Sequence, residues 1–243
     1  MNFLALGLII PLAACSFGWD SDSEGAGVAA SGSGTTRTFQ IADFDQIDLR
    51  GSDDVDVRVG TGFSVRAEGP TEQLDRLRIA RDGATLDIGR KNGAGFGWSK
   101  GPKVKVYVTL PRLSEATVSG SGNMAIDRVE GSAFEGGIAG SGNLTIAAVQ
   151  VDAAKFSIAG SGTARASGTA RDLNVEIAGS GDVHGTRLQA KSAKVEIAGS
   201  GSVRAVVDGP AKVDMMGSGD VDLGPRSRCT ISKMGTGSVR CGS

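Results

Sequence analysis

Side chains able to do covalent or acid–base chemistry are scarce in this chain of 243 residues: three cysteines, Cys15, Cys229 and Cys241, and one histidine, His184. They leave little material for a zinc site, which takes its ligands largely from Cys and His, or for a histidine-based catalytic centre. Asp220 and Asp222 suggest acid–base work on saccharides, the chemistry of polysaccharide lyases built on solenoids. Such enzymes need a recessed cleft with clustered acids or bases and aromatic side chains, and nothing in the sequence assembles that cluster. The serial Gly-Ser-Gly triplets look like phosphate loops, but no helix or P-loop lysine follows them. No catalytic, cofactor-binding or metal-ligating residue is therefore assigned, and no small-molecule cofactor is expected. Lysine plus arginine (26) balances aspartate plus glutamate (27) for a formal charge of −1, which argues against nucleic acid or an anionic bilayer as a bulk electrostatic partner.

Cys15 carries the first legible chemistry. Residues 3–12 are an apolar run, shorter than the ~18–20 residues of a spanning helix and suited to the core of a secretory signal. Leu12-Ala13-Ala14-Cys15 follows and resembles the lipobox of bacterial lipoproteins, where a peptidase cuts before a cysteine whose sulfur carries diacylglycerol. Residues 1–14 are read as the signal peptide and Cys15 as the lipidated first residue, a membrane partner through its acyl chains. Ser16 stands where lipoproteins retained at the inner membrane often have aspartate, which favours the outer membrane. No Lys or Arg precedes the apolar run, so an ordinary signal with an unmodified Cys15 is the competing reading. Residues 15–36, rich in Ser, Gly and Asp, read as lipidated terminus and flexible tether. Phe17 and Trp19 within it are weak candidates for contact with the membrane interface.

Beyond the tether, an internal repeat dominates. Gly-Ser-Gly or a close variant begins at Gly120, Gly140, Gly160, Gly179, Gly199, Gly217 and Gly235, at spacings of 20, 20, 19, 20, 18 and 18. Apolar residues alternate on both sides of each triplet. Ile138, Ile158, Ile177, Ile197 and Met215 lie two before it, and Met124, Leu144, Val183, Val203 and Val221 lie four after it. Period two marks half-buried strands, and units this short must stack to bury their apolar sides. At ~3.3 Å per residue each circuit is about 60 Å around, enough to close on a narrow core with two or three faces. The prediction is an all-β, right-handed parallel β-solenoid of 18–20 residues per coil. In each coil a strand, a small-residue corner and a second strand are followed by a variable return segment. Gly120, Gly122, Gly140, Gly142, Gly160, Gly162, Gly179, Gly181, Gly199, Gly201, Gly217, Gly219, Gly235 and Gly237 are assigned as structural turn residues needing φ > 0. The serines between them are expected to bond backbone groups at the bend. A flexible linker does not explain Ile and Val at fixed offsets, and calcium-binding nonapeptides need a nine-residue period and a regular aspartate ladder.

The frame gives the remaining candidates a place. Cys229 lies six positions before Gly235 and Cys241 six after it, both at inward parity. In an oxidising envelope they should form a disulfide that holds the last coil, which has no neighbour beyond it. Lys233 replaces the inward Ile of earlier coils, as a polar cap would. His184, Arg165, Arg204, Arg240 and Asp222 share an outward column, a solvated face or a docking strip for an acidic polymer. Glu176, Glu196 and Asp214 form a second column, in which stacked carboxylates repel and could attract a cation.

Residues 37–116 are less regular. Gly51 starts a variant corner with Asp53 in place of the second glycine, and Asp82-Gly83 signals a hairpin. TEQLDR at 71–76 suggests a helical turn with Thr71 as cap. A glycine-rich loop at 91–102 carries Phe96 and Trp98. One domain is expected over 37–243, with 37–116 as its irregular first part and 117–243 as regular coils.

FDQIDLRGSDDVDV, then KVKVYVTLPRLSEATVSGSGN, then serial GSG turns resemble the bacterial auto-transporter adhesin head family, the GIN domain, over roughly residues 37–222. The resemblance implies a solenoid-like all-β fold in exported, often lipidated envelope proteins, and brings no catalytic residues. The expected function is a non-enzymatic envelope lipoprotein and adhesin-type binding scaffold, with an envelope protein or polysaccharide as ligand. The alternative is a carbohydrate-active enzyme, a polysaccharide lyase or hydrolase, on a β-helix scaffold.

Overall fold

In the computed structural model, residues 27–91 and 102–242 are described. Residues 1–14, Cys15, Phe17, Trp19, Phe96 and Trp98 lie outside them.

The alternation read from sequence becomes a parallel β-solenoid of about six turns. Its regular part is four long bent strands, β10 (Asn123–Gly140), β11 (Asn143–Gly160), β12 (Thr163–Gly179) and β13 (Asp182–Gly199), in numbering that counts nine shorter strands before them. Shorter strands complete the stack: β14 (Ser202–Val207), β15 (Pro210–Gly217), β16 (Asp220–Asp222), β17 (Arg228–Met234) and β18 (Ser238–Arg240). Repeat equals register. Ile138 pairs with Ile158, then Ile177, Ile197, Met215 and Lys233 in successive coils. All but the last are buried, so each coil shields the apolar side of the next.

The return segments, variable in sequence, are themselves strand. Val129, Val149 and Leu188 supply a third inward stretch, and pairing runs through to Gly131 opposite Val151. Register shifts by a residue or more after Ile146, Arg165 and Gly185, where coil lengths differ. Bulges absorb such differences without breaking the ladder. Volume is matched between coils as well. Phe134 and Phe156 pack with tilted rings, centroids 6.4 Å apart. A Cβ on Gly136 would come within 3.0 Å of the Phe156 ring, so the glycine below makes room for the ring above.

The first part is built differently. Its strands are β1 (Ala30–Ser31), β2 (Thr36–Phe39), β3 (Gln46–Gly51), β4 (Asp54–Val59), β5 (Ser64–Glu68), β6 (Leu77–Asp82), β7 (Thr85–Arg90), β8 (Lys105–Leu110) and β9 (Glu115–Gly120), with a short helix α1 (Thr71–Asp75). Parallel pairing puts β3 between β7 and β9, and β4 between β8 and β10. The coil that comes first in the chain is therefore threaded between two that come later. Antiparallel strands close this end: β6 on β7, β5 on β8, β2 on β5 and β1 on β2. Two expectations need correction. Ala30–Ser31 pairs with Phe39 and Thr38, so ordered structure begins inside the stretch read as tether. Thr71 does not cap α1; Pro70 holds the N-cap position, and the Thr71 hydroxyl donates to the Gly34 carbonyl.

Candidate functional site

Each corner is made by backbone. The N–H groups of Ser161 and Gly162 both donate to the Gly140 carbonyl at 2.9 and 3.0 Å, and the same bonds recur at Ser141 and Gly142 on Gly120. The serine N–H groups, rather than the hydroxyls, turn the chain. Only the first glycine of each triplet has positive φ, as at Gly160 with φ 129°. The second is required for a different reason. A Cβ on Gly162 would lie 2.5 Å from both the Gly142 carbonyl and the Ile138 side chain, so stacking itself excludes a side chain there. That corrects the assignment of φ > 0 to Gly122, Gly142, Gly162, Gly181, Gly201, Gly219 and Gly237.

Before each corner, outward side chains form two columns that line a shallow open groove of about 820 Å³ across the stack. One column carries Ser157, Glu176, Glu196 and Asp214; the other runs Ala139, Ala159, Ala178 and Ala198, then Met216. The carboxylate row is not left to repel itself. Lys155 Nζ lies 3.1 Å from Glu135 and 3.7 Å from Glu176, while Lys194 pairs with Glu196 at 3.0 Å and Lys212 with Asp214 at 2.8 Å. Hydrogen bonding to Glu135, then the charges of Glu135 and Glu176, hold Lys155 above its ordinary pKa. Among the described residues no cluster of three His, Cys, Asp or Glu side chains could hold a metal.

The other sequence candidates separate. His184 sits in register with Arg165 below and Arg204 above, and Asp222 with Arg240 follows in the same column. Asp220 and Asp222 are occupied locally. A hydrogen bond from the Ser238 hydroxyl, then one from its backbone N–H, draws the Asp220 pKa below the usual carboxylate value. Asp222 Oδ1 accepts from Gly224 N–H at 3.1 Å. Cys229 and Cys241 form a disulfide with Cα atoms 6.2 Å apart. Lys233 is exposed in the last coil and donates to the Gly237 carbonyl at 2.7 Å.

The sequence reading missed two features. Asp53, only 2% exposed, bonds Arg90 and accepts from Val104 N–H at 2.9 Å. It thereby ties the variant corner to the coil beneath; its signal was the carboxylate in a glycine column. The second is at the far end. Met216, Ile231 and Met234 are 64%, 47% and 70% exposed, and the signal was the change from alanine to methionine in one outward column.

A family model described as "Putative auto-transporter adhesin, head GIN domain" matches residues 43–227. The chain belongs to that family. Solved structures agree in fold. A "putative adhesin" from Bacteroides fragilis shares 19% identity at a TM-score of 0.77, covering 87% of this chain and 98% of its own. A protein from Parabacteroides distasonis described as a "putative lipid binding protein" shares 25% identity at TM-score 0.66, covering 88% and 98%. A "putative adhesin" from Parabacteroides merdae shares 17% at TM-score 0.63, covering 86% and 96%. No curated protein matches the chain. Membership in an adhesin-head family points this GIN-domain protein to the cell envelope or exterior.

Proposed function

We propose that this GIN-domain protein is a non-enzymatic envelope lipoprotein, anchored in the outer membrane through Cys15, whose solenoid is a binding scaffold of the adhesin type. The observation that carries the reading is the groove across β9 to β17, a continuous surface floored by alanines and walled by paired charges. A rigid ladder of this kind presents equivalent positions at ~4.8 Å intervals, which suits an extended ligand, an envelope protein segment or a polysaccharide. Charged side chains on this surface are neutralised where they stand instead of converging on one point, unlike the acid and base of a glycosidase. The adhesin descriptions of structural neighbours support the same class.

Pull-down from envelope extracts and a glycan array, run with the native chain and with Ala159→Arg/Ala178→Arg, test the groove. Capture by the native chain that is lost in the variant is expected. Capture that is equal in both overturns the groove as the binding surface. Palmitate labelling of native and Cys15→Ala chains tests the anchor, and equal incorporation removes it.

A further inference from the structure

The stack ends on a coil unlike the others. Residues 224–242 contain Arg226, Arg228, Lys233 and Arg240 and no aspartate or glutamate. Arg226 lies 3.7 Å from Asp208 of the coil below, and Arg240 stands in register beside Asp222. Arg228 and Lys233 have no ion pair among the described residues, and Lys233 spends one donor on the Gly237 carbonyl. The three large hydrophobic residues exposed among the described residues, Met216, Ile231 and Met234, are at this same end. Exposure of Ile231 follows from its being inward-facing on a coil with nothing above it. Exposure of the methionines does not, because Met216 and Met234 stack on each other in an outward column filled by alanine in the four coils before.

We propose that this terminal coil is a docking tip for an anionic lipid surface. The tip is the end of the stack remote from β1, since β17 and β18 pair on one side only, with β15 and β16. Cationic heads beside flexible apolar side chains are what a headgroup layer over acyl chains accepts, and methionine adapts to such a disordered partner. A soluble acidic polymer would use the cations and leave the methionines in water. A second copy of the chain, pairing β17 edge to edge about Ile231, would bring two all-cationic coils together, and like charges across paired strands are destabilising. The chain's formal charge of −1 gives no long-range pull, so attraction is local to the tip. Met216, Lys233 and Met234 also line the far end of the groove, but docking by the tip rests on their exposure and charge at the end of the stack and stands whether or not the alanine-floored stretch binds a ligand.

Vesicle co-sedimentation of the full chain carrying Cys15→Ala tests it, with phosphatidylcholine alone and with about one-third phosphatidylglycerol. The apolar run before Cys15 holds no Lys or Arg; the cation it brings, the terminal amine, is shared by the parent chain and the tip variants, so a loss of anionic preference in the variants reads the tip alone. Expected are about tenfold tighter binding to the anionic vesicles, loss of that preference in Arg228→Glu/Lys233→Glu, and several-fold weaker binding in Met216→Ser/Met234→Ser. These side chains are exposed, so the variants keep the fold, and circular dichroism checks this. Equal binding to both vesicle types, or tip variants binding as the parent chain does, overturns the proposal. So does a result in which only the charge variant weakens and a soluble acidic polysaccharide competes, which would make the tip a polymer site.

Discussion

The regular coils and the threaded first part bury comparable apolar cores by different means. From Gly120 onward no charged side chain is buried among the described residues; Asp53 and Asp87 both belong to the first part. Where the repeat is strict, backbone ladders and glycine corners satisfy one another from coil to coil. Where strands arrive out of chain order, side chains replace those bonds: Asp53 holds Arg90 and Val104, and Arg50 and Arg78 lie 3.0 and 3.8 Å from Asp87. Regularity lets the backbone close most of the structure, with side chains outside the core adding bonds between coils, as Asp182 accepts from Ser202 N–H at 2.9 Å, and irregularity recruits buried charge.

The two parts differ most at equivalent corners. Gly160 has positive φ, and a Cβ there would press into the Gly140 carbonyl; Gly51 has φ 122° but open space around it. Gly160→Ala combines backbone strain with a steric clash and should cost about 4 kcal/mol, against about 1–2 for Gly51→Ala. Urea unfolding of the two variants measures the gap, and equal losses would show that stacking contact does not matter. Next in size, Asp53→Ala removes the acceptor of the Val104 N–H and the carboxylate partner of Arg90, which keeps its bond to the Gln73 carbonyl, and should cost about 3 kcal/mol, read from the same transition.

At the far end, Cys229→Ser/Cys241→Ser, which opens a loop of sequence separation 12, should lose up to about 3 kcal/mol. Its sharper readout is limited proteolysis, with cleavage beyond Leu223 while β10–β13 stay protected. The smallest effect concerns Asp87. Burial, opposed mainly by Arg50, raises its pKa above 3.8. Folding therefore favours the protonated acid, and its ionised form lowers stability at neutral pH. That penalty disappears as pH falls through the raised value and changes no further below about 3.8. The native chain should therefore gain in melting temperature relative to Asp87→Asn as pH falls from 7 toward about 3.8; a difference constant with pH would remove Asp87 as its source.

Legibility in the sequence follows the same divide. Fixed offsets around Gly140, Gly160 and Gly179 announced the register of every regular coil, because each residue pairs with its own counterpart. Cys229 and Cys241 could be paired because the frame set their parity. The threading of β3–β4 had no such signal, since β7 and β8 carry no Gly-Ser-Gly corner to compare with Gly51. The continuous strand through the return segments was hidden by coil-to-coil length changes. The groove was partly legible: its acidic column stood out at Glu176, Glu196 and Asp214, but its neutralisation by Lys155, Lys194 and Lys212 depends on reach between side chains. The terminal patch was missed because Met216 belongs to a corner motif that otherwise looks ordinary.

The threaded coil also sets an order of events. β3–β4 is the first coil made, yet β3 lacks its parallel neighbours until β7 and β9 exist, and β4 lacks its own until β8 and the start of β10 do. About the first 120 residues must therefore gather through long-range contacts, the slow kind of assembly. Every later coil finds a completed template already waiting and adds by local growth. The amino-terminal block is the seed crystal of this molecule, and truncations from the carboxyl end should shorten it where deletions near the start prevent it from forming.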